Sequence, residues 1–472
     1  MKSAHVRWLA LIAATGLSLA ACASGTADDD TADSGNSGDE SEDAGSAFAA
    51  DAELSGDLSI MGFSLGDEIA EVRYDEAVAA LGEVDVSLAE GELDIQQFLS
   101  SAATGQPPDI IYANRDQIGT FASRGALLPL NECIAGEEID MSMYREPAVE
   151  QVTFEDSVYG IPEFNQVQIT MANAGLLDDA GLAIEDVNGS DWDAMEAATE
   201  AMMEKDGGKL SVIGFDSKMP EFLPLWAKAN GADLLSEDGR TAQLDDPKVL
   251  EALEWAVGIY DLQGGFGDVK AYRDSADFFG EGNQFATDVL GAMPMEQWYV
   301  NVLNDVSPDV DMAFDTVHGL DGATLAFASG SAWAIPAGSS NPEAACRFAK
   351  TMTTVDTWMA AAQTRADARA ESDKPFTGLL TGNAVADEEI YNAFVEPSGS
   401  EVWDAAIEAT YEANDHTFSL PANPADAQFK TAWQDAVNRV LNGQQEPQAA
   451  LEQAQQEAQS ALDDAWATWD EE

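Results

Sequence analysis

From Leu54 onward the chain alternates short apolar runs with longer amphipathic ones, and this alternation restricts the folds open to it more than any other feature. Leu58 to Met61 reads as a strand, Asp67 to Leu81 as a helix, Asp85 to Leu88 as a strand, Ile95 to Ala103 as a helix and Asp109 to Tyr112 as a strand. Strands separated by helices do not pair as hairpins. They pair in parallel under right-handed crossovers, which predicts an α/β architecture. A more helical region starts at Asp191, suited to cap a helix that carries Trp192, Met195, Ala198 and Met202 on one face. Helices dominate the end, where Gln448 to Trp466 is rich in Ala, Gln and Glu and contains no Gly or Pro. No internal repeat is present. A chain of 472 residues exceeds one comfortable hydrophobic core, so two domains are expected.

The first residues belong to another regime. Lys2 and Arg7 precede an apolar stretch from Trp8 to Ala20 that is too short to span a bilayer stably, and Leu19-Ala20-Ala21-Cys22 closes it. Residues 1–21 thus have the features of a cleaved export signal, and the placement of Cys22 resembles the bacterial lipobox. That resemblance implies a lipidated Cys22 as the mature N-terminus, on a protein held at the outer face of the cell membrane. Two acyl chains, at about 0.8 kcal/mol per buried CH₂, suffice for stable anchoring. The competing reading is a plain secretory signal with an incidental Cys. From Ala23 to Glu53 the chain is mainly Gly, Ser, Ala, Thr and acid with a single Phe and no Lys or Arg, so residues 22–53 are expected to form a lipidated, disordered acidic tether. Asp28-Asp29-Asp30 lacks the spacing of a calcium loop and reads as solvated linker.

Charge excludes several partners. Lys and Arg number 21 against 87 Asp and Glu, a formal net charge of -66, which repels nucleic acid and anionic headgroups. Such an acidic surface suggests adaptation to high ionic strength, where screening relieves self-repulsion. After Cys22 no run is long and apolar enough to cross a membrane. Cys133 and Cys346 remain as an even pair in an oxidising compartment, which leaves either a disulfide or two buried thiols. His318 and His416 are the histidines beyond the signal segment, too few to favour zinc or iron, and neither a metal nor a cofactor is expected. No nucleophile elbow, phosphate loop or metal-ligand cluster suggests an enzyme.

A series of short motifs then occurs in a fixed order: Ala102-Ala103-Thr104-Gly105, Pro108-Asp109-Ile110-Ile111-Tyr112, Phe121-Ala122-Ser123-Arg124-Gly125-Ala126-Leu127-Leu128-Pro129-Leu130 and Tyr159-Gly160-Ile161-Pro162. Gly175-Leu176-Leu177, Gly291-Ala292-Met293 with Trp298, Ala334-Ile335-Pro336, Asn341-Pro342-Glu343-Ala344-Ala345 and Leu441-Asn442-Gly443 follow. In this order, behind a lipobox, they resemble the extracellular solute-binding proteins of ABC importers, in the carbohydrate, maltose-binding-like branch. The resemblance implies a two-lobed periplasmic-binding-protein fold, each lobe a sheet flanked by helices and joined to the other by hinge crossovers. By analogy the first lobe holds residues 54–164 and 327–373, the second 165–326 and 374–472, and both cysteines fall in the first. The implied function is a monomeric receptor that binds a mono- or oligosaccharide between its lobes and delivers it to permease subunits.

In open α/β folds ligands collect at the carboxyl ends of strands, and the loops there are rich in groups a sugar needs: aromatic faces for its C–H surface, amides and carboxylates for its hydroxyls. The candidates are Phe63 after the first strand; Asn114 and Asp116, flanking Arg115, after Tyr112; and Phe164, Asn165 and Gln166, next to Glu163, after Pro162. By family match Glu221 and Phe222, then Glu296 and Trp298 around Gln297, face the solute from the second lobe. A strand expected over Leu325 to Ile335 runs through the hinge and offers Ser331, with Ser329 and Gly330 letting a ligand approach its backbone. Trp333 has a core and a cleft reading, and Trp403 reads chiefly as helix core. Ala113 stands where the family often has a Trp, which counts against a malto-oligosaccharide and leaves a mono- or disaccharide open. Two alternatives remain: a polyamine or other cation held by Glu163, Glu221, Glu296 and Asp116, and an exported glycoside hydrolase with paired carboxylates.

Overall fold

The computed structural model describes residues 48–470. The signal segment, Cys22 and most of the expected tether lie outside them. Two five-stranded sheets organise the rest. In the first the order is Glu83–Ala89, Ser55–Met61, Ile110–Asn114, Ser331–Ala334 and Ile161–Pro162. Its first three strands are parallel, as the βαβ pattern requires, and the last two run antiparallel to their neighbours. In the second sheet the order is Met312–Thr316, Gln168–Asn173, Leu290–Glu296, Lys209–Phe215 and Glu204–Asp206. It is a mixed α/β molecule of two lobes.

Local sequence accounts for the helices. Asp67, Asp94 and Asp191 each accept a hydrogen bond from the backbone three residues on, at 2.9, 2.9 and 3.1 Å, and so start the helices Glu68–Ala80, Ile95–Ala103 and Trp192–Met202. The Ala- and Gln-rich end forms one long helix, Pro447–Asp470, with Pro at its first position. The first sheet buries Leu58, Ile60 and Trp333 against Phe348. Cys133 and Cys346 form a disulfide in that core, with Cα atoms 5.9 Å apart, joining the helices Asn131–Gly136 and Pro342–Thr353. Among the described residues no helix is long and apolar enough to cross a membrane.

Two expectations need correction, and the open reading of Trp333 is decided. The tether does not extend to residue 53: Ala50 donates to the carbonyl of Gly136 at 3.1 Å, Arg347 donates to that of Ala49 at 3.0 Å, and Phe48 packs against the first core. The one aromatic of that acidic stretch has apolar surface to bury, which its neighbours lack. The strand expected over Leu325 to Ile335 is two: Ala326–Phe327 pairs with Thr417–Phe418, and only Ser331–Ala334 joins the first sheet. Gly330 breaks the run at φ +150°, and a Cβ there would lie 2.1 Å from the carbonyl of Phe164. That glycine admits the close approach of the Phe164 backbone, and it also lines the cleft. Trp333 is a core residue, with its ring 5.1 Å from Phe63 and 4.8 Å from Tyr112.

Candidate ligand-binding cleft

Register brings the strand ends together. Ser331 pairs with Asn114 in the first sheet, Glu296 with Gln168 in the second, and between the sheets Gln166 bridges Ser329 while Phe164 bridges Thr381. These segments bound a cleft of about 690 Å³, a size suited to a small organic ligand. Asn114, Asp116, Phe164, Asn165, Gln166, Glu221, Phe222, Glu296, Trp298 and Ser331 all line it. Phe63 does not. Its ring turns inward, buried between Tyr112 and Trp333, because a loop aromatic beside two core rings gains more by joining them than by facing water.

The floor is held by one buried cation. Arg115 donates to Gln151 Oε1 at 2.9 Å, to the Phe164 carbonyl at 2.9 Å, and to Asn165 Oδ1 and the Ser329 carbonyl at 2.7 Å each. Burial pulls its pKa down to about 10, still far above neutrality, so the charge persists. Asn165 also donates to Asn414 at 2.6 Å, and Asn414 donates to the Asp387 carboxylate, itself paired with Arg145. The amide of Asn165, expected on the solute, is thus committed to the crossover. Gln297 is committed likewise: its carbonyl accepts from the Val167 N–H at 2.9 Å.

Several acids are also accounted for. Glu163 is fully buried in an ion pair with Arg73, whose guanidinium lies 3.9 Å from the Trp358 ring centroid, and it does not reach the cleft. Asp116 pairs with Lys430 at 2.6 Å. Asp426 accepts backbone N–H bonds from Thr120 and Asn423, and burial, with the Asp116 charge added, pushes its carboxyl well above the usual range. Glu221 has no hydrogen-bond partner among the described residues, and the Glu296 carboxylate meets only its own backbone N–H, while burial raises its pKa. The side-chain amide of Asn114 is equally uncommitted.

Trp298 starts the helix Trp298–Val306 at the rim, half-buried, with Phe279 stacked on it at 6.1 Å and 16°. Phe279 is 65% exposed. Trp403 packs in the core and donates to the Pro308 carbonyl, as a helix Trp is expected to. Sequence reasoning missed Lys430, Trp433 and Gln434, all on the helix Asp426–Leu441 and all lining the cleft. Trp433 is buried with its Nε1 unpartnered among the described residues, and nothing local distinguishes it from Trp403. Asp67 and Arg365, joined at 2.9 Å, form part of the wall; in the sequence Asp67 read only as the start of a helix. Among the described residues no group of three or more His, Cys, Asp or Glu could hold a metal ion.

Residues 76–369 match the model of a family described as bacterial extracellular solute-binding protein. An arabinooligosaccharide-binding protein of Halalkalibacterium halodurans is 24% identical over 194 residues, 39% of this chain and 39% of that protein. A lactose-binding protein of Rhizobium radiobacter is 25% identical over 180 residues, 37% of this chain and 40% of the other. The matched segments span about two-fifths of the length of these curated relatives. An ABC substrate-binding protein from Listeria monocytogenes, solved in complex with cycloalternan, superposes with a TM-score of 0.67 at 19% identity, over 87% of this chain and 99% of that one. At such identity the likeness is one of fold.

Proposed function

The chain belongs to the bacterial extracellular solute-binding proteins, which bind and do not catalyse, and from that premise we propose that it captures a neutral carbohydrate between its lobes and delivers it to the permease of an ABC importer. The observation that carries this reading is which polar groups of the cleft are free. Asn114 and Glu221 are uncommitted hydroxyl partners and Glu296 is held only by its own backbone N–H, with Gln166 and Ser331 beside them and the faces of Phe164 and Trp298 for a sugar's C–H surface; Phe222 lines the cleft but its ring is buried in the core. The relatives named for arabinooligosaccharide and lactose agree with that chemistry.

The same distribution counts against a polyamine. Of the four acids that reading needs, Glu163 is buried against Arg73 and Asp116 is neutralised by Lys430. Closure follows from a solute touching both lobes at once, since only a difference in affinity between open and closed forms shifts the hinge. We take the lobes as residues 54–164 with 327–373 and 165–326 with 374–472, the first beginning a few residues earlier at Phe48. An extracytoplasmic location comes with the family. Anchoring through a lipidated Cys22, release to permease subunits and a monomeric state complete the proposal.

Calorimetric titration of the mature chain with neutral sugars and with polyamines, at low and molar NaCl, tests it. A sugar that binds with salt-independent affinity, weakened about tenfold or more by Trp298→Ala, is the expected outcome. Polyamine binding that fades with salt would replace the carbohydrate assignment.

A further inference from the structure

Beside the cleft lies a second cavity of about 570 Å³. Glu221 and Gln434 line both, so the two adjoin. Gln434, Asn438 and Asn442 follow one another at four-residue steps along the helix Asp426–Leu441 and its C-cap, which sets them about 6 Å apart on one face. Opposite them stand Lys218 and Glu221, with Pro220 and the half-buried ring of Phe266 as apolar surface.

Most of these polar groups make no hydrogen bond, although the Lys218 charge acts on Asp216 and Glu296 and that of Glu221 on Arg273. The side chains of Lys218, Glu221, Gln434 and Asn438 have no hydrogen-bond or ion-pair partner among the described residues; only Asn442 turns its amide back to a helix carbonyl, that of Asn438. By contrast the other two cations of the cavity are satisfied, Arg273 by the buried Asp216 at 3.0 Å and Lys270 by Asp274. Asp216 also accepts from the Lys218 N–H at 3.0 Å and from Tyr260 at 2.8 Å, so the loop that carries Lys218 is pinned from below. The lining is therefore close to neutral, hydrogen-bonding and backed by an aromatic. That combination suits hydroxyls better than an ion.

We propose that this cavity is an outer saccharide subsite, adjoining the cleft at Glu221 and Gln434, and that the cargo is a neutral oligosaccharide longer than the cleft alone accommodates. This rests on the carbohydrate reading above and extends it: the cleft grips one end, while the helix Asp426–Leu441 and the Lys218 loop hold the sugars that emerge. Successive amides along one helix face match successive units of an extended chain. The residues that line the outer cavity alone set chain-length preference and leave recognition of the first units to the cleft.

The test is calorimetric titration of the mature chain with arabino-, manno- and malto-oligosaccharides, each from monosaccharide to hexasaccharide, on wild type, Asn438→Ala and Lys218→Ala. In the series that binds, wild-type affinity is expected to climb with length; on the longest members Asn438→Ala loses roughly fivefold, the worth of one neutral hydrogen bond, and Lys218→Ala roughly tenfold or more, the worth of one to a charged group. Affinity of both variants for the shortest binding member stays unchanged, which also shows that they are folded. Length dependence identical in wild type and both variants, or no gain with length, overturns the outer subsite while carbohydrate binding stands. Absence of binding by wild type to every saccharide overturns the carbohydrate reading and the subsite with it.

Discussion

Arg115 donates to the backbone carbonyl of Ser329 at 2.7 Å, across 214 positions of sequence, and so ties the end of a first-sheet strand to the crossover that returns from the second lobe. The same side chain holds the Phe164 carbonyl of the outgoing crossover. One buried cation therefore sets the spacing of two hinge segments beneath the solute. Replacing it with an apolar residue strands the Phe164 carbonyl and the side-chain oxygens of Gln151 and Asn165, each at about 1–3 kcal/mol, while the Ser329 carbonyl keeps the Gln166 N–H. Arg115→Met is expected to lower stability by about 3–5 kcal/mol in urea unfolding, and to weaken solute binding. A loss under about 1 kcal/mol would mean that packing alone positions the crossovers.

The Cys133–Cys346 bond closes a sequence separation of 213 residues within the first core, away from the cleft. Removing it frees the unfolded chain, at a cost of about 2–5 kcal/mol. The double variant Cys133→Ser, Cys346→Ser should melt several degrees lower and bind its solute as wild type does. A change in affinity larger than about twofold would implicate the disulfide in lobe geometry.

Asp387 gives stability a pH dependence of defined sign. Burial pushes its carboxyl up to about 6, against the opposing pull of Arg145. Since the folded pKa exceeds the ordinary 3.8, folding takes up a proton between those values. The stability it contributes is complete below about pH 3.8 and is lost as pH rises through about 6. Two pKa units correspond to about 3 kcal/mol. Asp387→Asn removes this linkage, so the variant should gain on wild type by up to that amount between pH 4 and pH 8 in chemical denaturation. A variant that instead falls further behind as pH rises would show that the ion pair with Arg145 outweighs desolvation.

A net charge of -66 makes self-repulsion a bulk property of the fold. Debye screening falls from about 10 Å at 0.1 M to about 3 Å at 1 M salt, which removes most of it. The melting temperature is expected to rise from low to molar NaCl. A flat or falling profile would refute adaptation of this surface to salt.

How far the site was legible depended on what positions each side chain. Asn114, Gln166, Glu296 and Trp298 sit at ends of strands or crossovers, and a chain that alternates strands with helices must gather such ends along one line. Phe63 occupies an equivalent place and fails, because rotation about one loop decides whether its ring meets solvent or Tyr112. Asn165 reaches the cleft, yet its amide is claimed by Arg115 and Asn414, the latter 249 positions away. No local pattern announces such a partner.

The helix Asp426–Leu441 marks the same boundary. Its existence follows from composition, but which face meets the solute follows from docking on the helix Ile118–Ser123, where a Cβ at Gly119 would lie 2.4 Å from the Asn423 carbonyl. Lys430, Trp433 and Gln434 enter the cleft only through that contact. By itself the sequence determined the class of fold, the strand ends that bound the cleft and the acidity, because short-range periodicity and composition govern these. Tertiary structure alone decided which polar groups stay free for a solute, because burial and ion pairing join residues that the chain order keeps far apart.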